Sequence, residues 1–279
     1  MLVQGTARQL KSTLITAVVS LTVGITSCAG VRAETLRTGG TGAALVTLRL
    51  LGAAFAKTEP DIVIEVVEGL GSSGAMAAVA AGALDICVSG RPPGDADDRS
   101  LRASVLARSP IGFVSSHPSP GDIRAADLAD LFGSATSAWP DGKAVRAVLR
   151  PKNDSDSSLL ASSFPEMSAA IEKVRARPEV PVAATDQDNA RLAQALPDSL
   201  AFMTLMQLQT EKLRLRFLTI DGVAPTLANF QSGKYPYGKI LHLVVSSRNS
   251  PALDRFLAFV RSPVGEAVLR ENGSLPGVP

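Results

Sequence analysis

Two histidines, two cysteines and a 4% share of aromatic residues set the first limits on this 279-residue chain. A serine nucleophile needs an activating base beside its hydroxyl. Only His117 and His242 are on offer, one among prolines and one in an apolar, strand-like run. No Gly-x-Ser-x-Gly elbow occurs, and two histidines with a lone cysteine make no metal-ligand cluster. An enzyme, a metal centre and a bound cofactor are therefore not expected. Basic patches interleaved with aromatics are also missing, which argues against nucleic acid as a partner. After the first thirty or so residues no stretch is long and apolar enough to span a bilayer.

What the N-terminus does hold is an export signal. Arg8 and Lys11 form a basic region ahead of an apolar stretch, residues 14–25, that is short for a membrane span. Two exits are open. Val31-Arg32-Ala33 suits a signal peptidase, which makes 1–33 the signal peptide and Glu34 the first mature residue. Ile25-Thr26-Ser27-Cys28 resembles a lipobox, which would leave a lipoprotein anchored through Cys28. Either way the protein is expected outside the inner membrane, in the periplasm. Cleavage after Ala33 removes three basic residues (Arg8, Lys11, Arg32) and no acidic one, leaving 25 basic against 26 acidic. The basic balance of the precursor thus says nothing about a polyanionic partner. The soluble mature form keeps only Cys87, in an apolar run, so no internal disulfide can form and a buried thiol is expected.

Low aromatic content, many alanines, and helix-period segments alternating with short β-branched ones indicate an α/β fold. Strand 36–38 leads to helix 43–57, strand 62–67 to helix 75–81, and strand 84–88 follows, a β-α-β-α-β unit that builds a parallel sheet. A strand at 111–115 leaves this unit. Helix 125–132, strand 145–149, helix 166–175 and strand 200–204 form a second. Strand 240–245 and helices 252–260 and 264–271 close the chain.

The loops carry the chemistry. Gly71-Ser72-Ser73-Gly74 lies between an apolar strand and a small-residue helix, an order that offers backbone N–H groups and hydroxyls to an anion at a helix N-terminus. Gly39-Gly40-Thr41-Gly42 repeats the arrangement upstream, and Asp154-Ser155-Asp156-Ser157 repeats it after the strand ending at Arg150. The first of these is neither a phosphate-binding Walker loop, since no Gly-Lys-Ser/Thr follows, nor a dinucleotide fingerprint, since the third glycine is missing. One serine of the Ser72-Ser73 pair is expected to cap its helix. Arg150 can grip two oxyanion atoms with one guanidinium, or else pair with Asp154 or Asp156 at the surface. Three such loops and an arginine suggest a cleft for a small oxyanion.

Taken in order, these loops together with Leu84-Asp85-Ile86-Cys87-Val88-Ser89-Gly90-Arg91-Pro92, Ala138-Trp139-Pro140-Asp141-Gly142 and Tyr235-Pro236-Tyr237 make the chain resemble the periplasmic phosphate-binding protein family, the substrate-binding proteins of ABC transporters. The resemblance implies a type II fold: two α/β lobes, each a mixed, mostly parallel sheet flanked by helices, joined by two crossovers and closing by hinge bending. Lobe 1 would comprise 34–114 and 240–279, and lobe 2 would comprise 115–239. It also implies a monomer that binds its ligand without chemistry and passes it to a permease in the inner membrane. The ligand residues carried over are Thr41, Gly42, Ser72, Ser73, Ser89, Arg91, Arg150, Ser155, Asp156 and Ser157, with phosphate as the favoured ligand.

Two departures from the family pattern bear on that ligand. Asp156 replaces a glycine in the last loop, with one extra residue between Arg150 and Ser155. Gly90 replaces the acidic residue that accepts the proton of hydrogen phosphate and so rejects sulfate. Asp156 could supply the missing acceptor, or cap its helix. Arg91 could add charge to the cleft, or turn outward toward Asp95. A binding protein for another oxyanion or an organic acid, reporting to a membrane receptor, is the alternative. Trp139 is expected in the core, and Tyr235 and Tyr237 at the second crossover.

Overall fold

The computed structural model describes Met1 and residues 33–248 and 250–277. The signal peptide and the lipobox at Cys28 lie outside the described residues. Among those residues no helix is long and apolar enough to cross a membrane.

Strand β1 (Glu34–Gly40) enters a single 3-10 turn at Gly42–Ala44 and then α1 (Leu45–Phe55). Leu45, Leu48, Leu51 and Phe55 are buried, as their helical spacing requires. β2 (Ile62–Val67) and β3 (Ile86–Ser89) lie on either side of β1, both parallel to it, with α2 (Gly71–Ala81) as the crossover between them. α2 starts four residues earlier than its alanine run predicts. Gly71 takes φ +61°, a conformation that favours glycine, and lets the strand turn straight into the helix.

β4 (Arg102–Ser115) is fourteen residues long, although only 111–115 reads as strand in sequence. Arg102, Ser104 and Arg108 interrupt the apolar pattern of its first half, and pairing rather than propensity makes that half extended. The middle of the chain runs β5 (Asp122–Ile123), α3 (Leu128–Gly133), β6 (Arg146–Ala147), α4 (Ser155–Ser163), α5 (Met167–Arg175) and α6 (Asp186–Ala195). β7 (Ser199–Thr204), α7 (Leu205–Thr210), β8 (Arg216–Phe217), β9 (Thr219–Ile220) and α8 (Leu227–Gln231) follow. The strand expected at 145–149 shrinks to two residues, and Leu149 adds only an isolated bridge to Val182. β10 (Gly238–Val245), α9 (Pro251–Val260), α10 (Pro263–Glu271) and β11 (Leu275–Pro276) complete the fold. Ser250 and Ser262 cap the last two helices, each followed by a proline at the first helical position.

The large sheet runs β2-β1-β3-β10-β4-β7-β6, with β8 and β11 also on β4, and β5 pairs β9 apart from it. The sheet is mixed. β1 is parallel to both its neighbours and β6 to β7, while β10 is antiparallel to β3 and β4, and β4 to β7. The two largest of four hydrophobic clusters divide the molecule. One gathers Leu36, Leu48, Leu51, Phe55, Ile86, Leu241, Phe256 and Leu269. The other gathers Ile111, Phe113, Phe132, Trp139, Leu200, Phe202 and Tyr235. The change falls inside β4, between Ala107 and Ile111, so this one strand belongs to both halves. Met206 on α7 packs in the first core although nearby Phe202 packs in the second.

The second crossover is pinned at the same place. The buried Tyr235 hydroxyl donates to the Ile111 carbonyl at 2.7 Å, and the Ile111 N–H donates to the Tyr237 carbonyl. Tyr235→Phe should cost about 1–2 kcal/mol, because it leaves a buried carbonyl short of a donor. A chemical denaturation midpoint equal to that of the wild type would show that the bond contributes nothing.

Candidate functional site

A cavity of about 460 Å³ opens between the two cores, lined by the Thr41 loop, the Gly69–Gly74 turn, the Arg150–Ser155 loop and the start of α6. Thr41, Gly42, Ser72, Ser73, Arg91, Arg150 and Ser155 all line it. Ser89, Asp156 and Ser157 do not.

The placement of those three has clear physical reasons. The buried Ser89 hydroxyl donates to the Arg91 carbonyl at 2.6 Å and accepts from the Arg91 N–H, which ties the turn after β3. The Ser157 hydroxyl donates to the Pro151 carbonyl at 2.8 Å, bracing the loop that carries Arg150. Asp156 is buried in an ion pair with Lys239 of β10, itself buried. Gly90 lies against Lys239: a Cβ there would sit 2.7 Å from the Lys239 Cε and 3.0 Å from the Ser155 hydroxyl, so a larger residue would need both side chains to shift.

At the start of α2 neither serine caps the helix, contrary to expectation, because Leu70 precedes it without a side-chain cap. Ser72 instead accepts from the Gly90 N–H at 2.9 Å, and Ser73 accepts from Arg91 at 3.0 Å. Arg91 pairs with Asp97, at 2.6 and 3.0 Å, rather than with Asp95. Its guanidinium is thereby committed at the rim of the cavity.

Arg150 is 7% exposed. It donates to the Ala183 carbonyl at 2.9 Å and to Asp154 at 2.8 Å, while its Nε is buried without a partner among the described residues. Asp154 also caps α4, accepting from the Asp156 N–H. Across the cavity from the Thr41 loop stands Asp186, the first residue of α6. One of its oxygens accepts from the Ala43 N–H at 3.0 Å and the Thr41 hydroxyl at 3.3 Å. The other lies 3.6 Å from Arg150. Gln187 donates to the Gly42 carbonyl at 3.0 Å beside it.

Three acids (Asp154, Asp156, Asp186) thus share two cations, Arg150 and Lys239. The consequence is unequal acidity. Burial pushes the Asp156 carboxyl up to about 6 despite the pull of Lys239. Burial opposes the charge on Asp186 as well, but Lys239, Arg150, the Ala43 N–H and a hydrogen bond with Asp156 hold it below the ordinary carboxylate range. Lys239 stays protonated, because its two carboxylates outweigh its desolvation. Neither Asp186 nor Lys239 is evident from the sequence motifs. Thr185 and Asp188 do form a capping pair, Thr185 accepting from the Asp188 N–H, and that pattern marks the helix start that carries Asp186.

Neither histidine reaches the cavity. His117 stacks on Trp139 with ring centroids 5.1 Å apart and lies 3.1 Å from Asp141, and His242 is in β10 opposite Ser89. The buried Cys87 thiol is pushed up to about 12 by desolvation, far from the thiolate range.

Comparison with known proteins gives these features a family. The PBP superfamily domain matches residues 27–264. The chain belongs to the PBP superfamily. Solved members of similar fold include a Clostridium perfringens protein with bound phosphate, assigned to the substrate-binding proteins of phosphate ABC transporters. That protein is 14% identical, with a TM-score of 0.74, and the match covers 88% of this chain and all of that one. An ABC-type phosphate transport receptor from Vibrio cholerae is also 14% identical, with a TM-score of 0.60 over 87% of this chain and all of the other. The regulatory domain of a LysR family regulator from N. meningitidis shares the fold too, at 13% identity and a TM-score of 0.52 over 88% of this chain and its own full length. No curated protein sequence matches the chain. At these identities the likeness establishes the superfamily's two-lobe, type II architecture and leaves the ligand to the site itself.

Proposed function

We propose that this chain is an exported substrate-binding protein of an ABC transporter. In this reading the cavity holds a small oxyanion, phosphate first among them, and no chemistry is done on it. The lobes, 34–114 with 240–279 and 115–239, close over the ligand, and the monomer delivers it to a permease in the inner membrane. One observation carries the reading. The Asp186 carboxylate, an oxyanion belonging to the chain, is held by the N–H and hydroxyl at the start of the first helix and lies beside Arg150. Groups that receive a buried carboxylate in this way are the groups an oxyanion ligand needs. Their neighbours Ser72, Ser73 and Ser155 line the same space.

Calorimetric titration of the purified protein, stripped of ligand by unfolding and refolding, with phosphate, sulfate, molybdate and phosphonates tests this. The expected result is saturable binding of phosphate. Silence toward all of these oxyanions would overturn the reading.

A further inference from the structure

We infer that Asp186 is a resident competitor for the oxyanion donors, and that a ligand binds by displacing its carboxylate from Thr41, Ala43 and Arg150. The inference rests on the reading of the cavity as an oxyanion site and names the residue that sets its affinity.

The geometry is that of a bound anion. One carboxylate oxygen takes the Ala43 N–H and the Thr41 hydroxyl, and the other faces the Arg150 guanidinium at 3.6 Å. Asp186 is buried, one oxygen held by the Thr41 loop and the other facing Arg150, so both are engaged outside its own helix. Its helix is capped independently by Thr185, so α6 keeps its N-terminal hydrogen bond without Asp186. The contact is also tight. A Cβ on Gly42 would meet both Asp186 and Gln187 at under 3 Å, leaving no space for an anion between the Thr41 loop and α6 while Asp186 stays in place. Of the other two helix starts at the cavity, α4 is capped by Asp154, whereas α2 has no side-chain cap. An incoming oxyanion would therefore meet the open turn at Gly71 first and gain the Thr41 and Ala43 donors only when Asp186 yields them.

The net charge of the cluster gives the same result. Asp154, Asp156 and Asp186 outnumber Arg150 and Lys239, so each added negative charge is opposed until one carboxylate moves away or is neutralised.

The test compares wild type with Asp186→Ala and the near-isosteric Asp186→Asn. Inorganic phosphate is the probe, affinity is read by calorimetry, and phosphate-dependent thermal stabilisation is a second readout. Circular dichroism verifies that each variant folds. Asp186→Ala is expected to bind phosphate at least about tenfold tighter, the worth of a charge-assisted hydrogen bond no longer competed for. Asp186→Asn should gain less, because its amide oxygen still accepts from Ala43 but carries no charge. If wild type binds phosphate and the variants bind it equally or more weakly, the competitor role is overturned while the oxyanion reading stands. If wild type is silent and Asp186→Ala binds, the competitor role stands and the reading of phosphate as the ligand of this protein falls. Silence in all three overturns both.

Discussion

Replacing Arg150 by alanine is expected to cost about 2–5 kcal/mol of oxyanion binding, roughly thirty- to several-thousand-fold in affinity. The magnitude follows from burial. Arg150 lies at the wall of the cavity with almost no solvent contact, so its charge acts in a medium that screens it weakly. Its removal would also leave Asp154 and Asp186 facing the ligand with one cation fewer, turning attraction into repulsion. Arg150→Lys separates charge from geometry. A lysine restores the positive charge but not the planar fork that reaches the Ala183 carbonyl and Asp154 from two separate nitrogens, so it should recover part of the loss. Phosphate titration of the three proteins reads the effect directly. An Arg150→Ala protein that folds and binds as wild type does would remove this residue from the site.

The second large effect concerns stability. Lys239→Met keeps most of the side chain's length and removes the cation paired with Asp156, so that buried carboxylate loses its counter-charge while Asp186 keeps only Arg150. Breaking a buried pair from one side costs about 3–5 kcal/mol. The loss should depend on pH in a definite sense. Asp156 already binds its proton more tightly folded than unfolded, with its folded value near 6 against an ordinary 3.8, and its contribution to stability is therefore lost as pH rises through that window. Without Lys239 the folded value climbs further and the window extends upward. Denaturation midpoints of variant and wild type should thus lie closer at pH 5 than at pH 7.5. A gap that is constant over this range would show that the carboxylates do not titrate as a group with Lys239.

Much of this architecture is legible in the chain. The spacing of Leu45, Leu48, Leu51 and Phe55 marks α1 and its buried face, and the strand-loop-helix order around Gly39 and Gly71 places two loops that do meet at the cavity. The first half of β4 is not legible, since Arg102, Ser104 and Arg108 break its apolar alternation and its extended form comes from partners far away in sequence. The site divides in the same way. Thr41, Ser72, Arg150 and Ser155 sit in local motifs that announce a helix start. Lys239 is one charge in an apolar strand, and Asp186 is one acid among four polar residues. Their meeting with Asp156 and Thr41 is a product of topology, which no window of sequence contains.

The place of β10 in the sheet has a consequence for synthesis. β3 lies between β1 and β10, and β10 begins at Gly238, so a growing chain has its first three strands long before the partner that flanks them. Until the ribosome has passed Val245, one edge of that early sheet stays bare and β4 lacks its longest neighbour. A sheet whose central strand comes so late in the sequence depends on long-range pairing and is slow to form. Under the proposed export, a chain that completes its sheet late stays open longer, which is what passage through a membrane before folding requires.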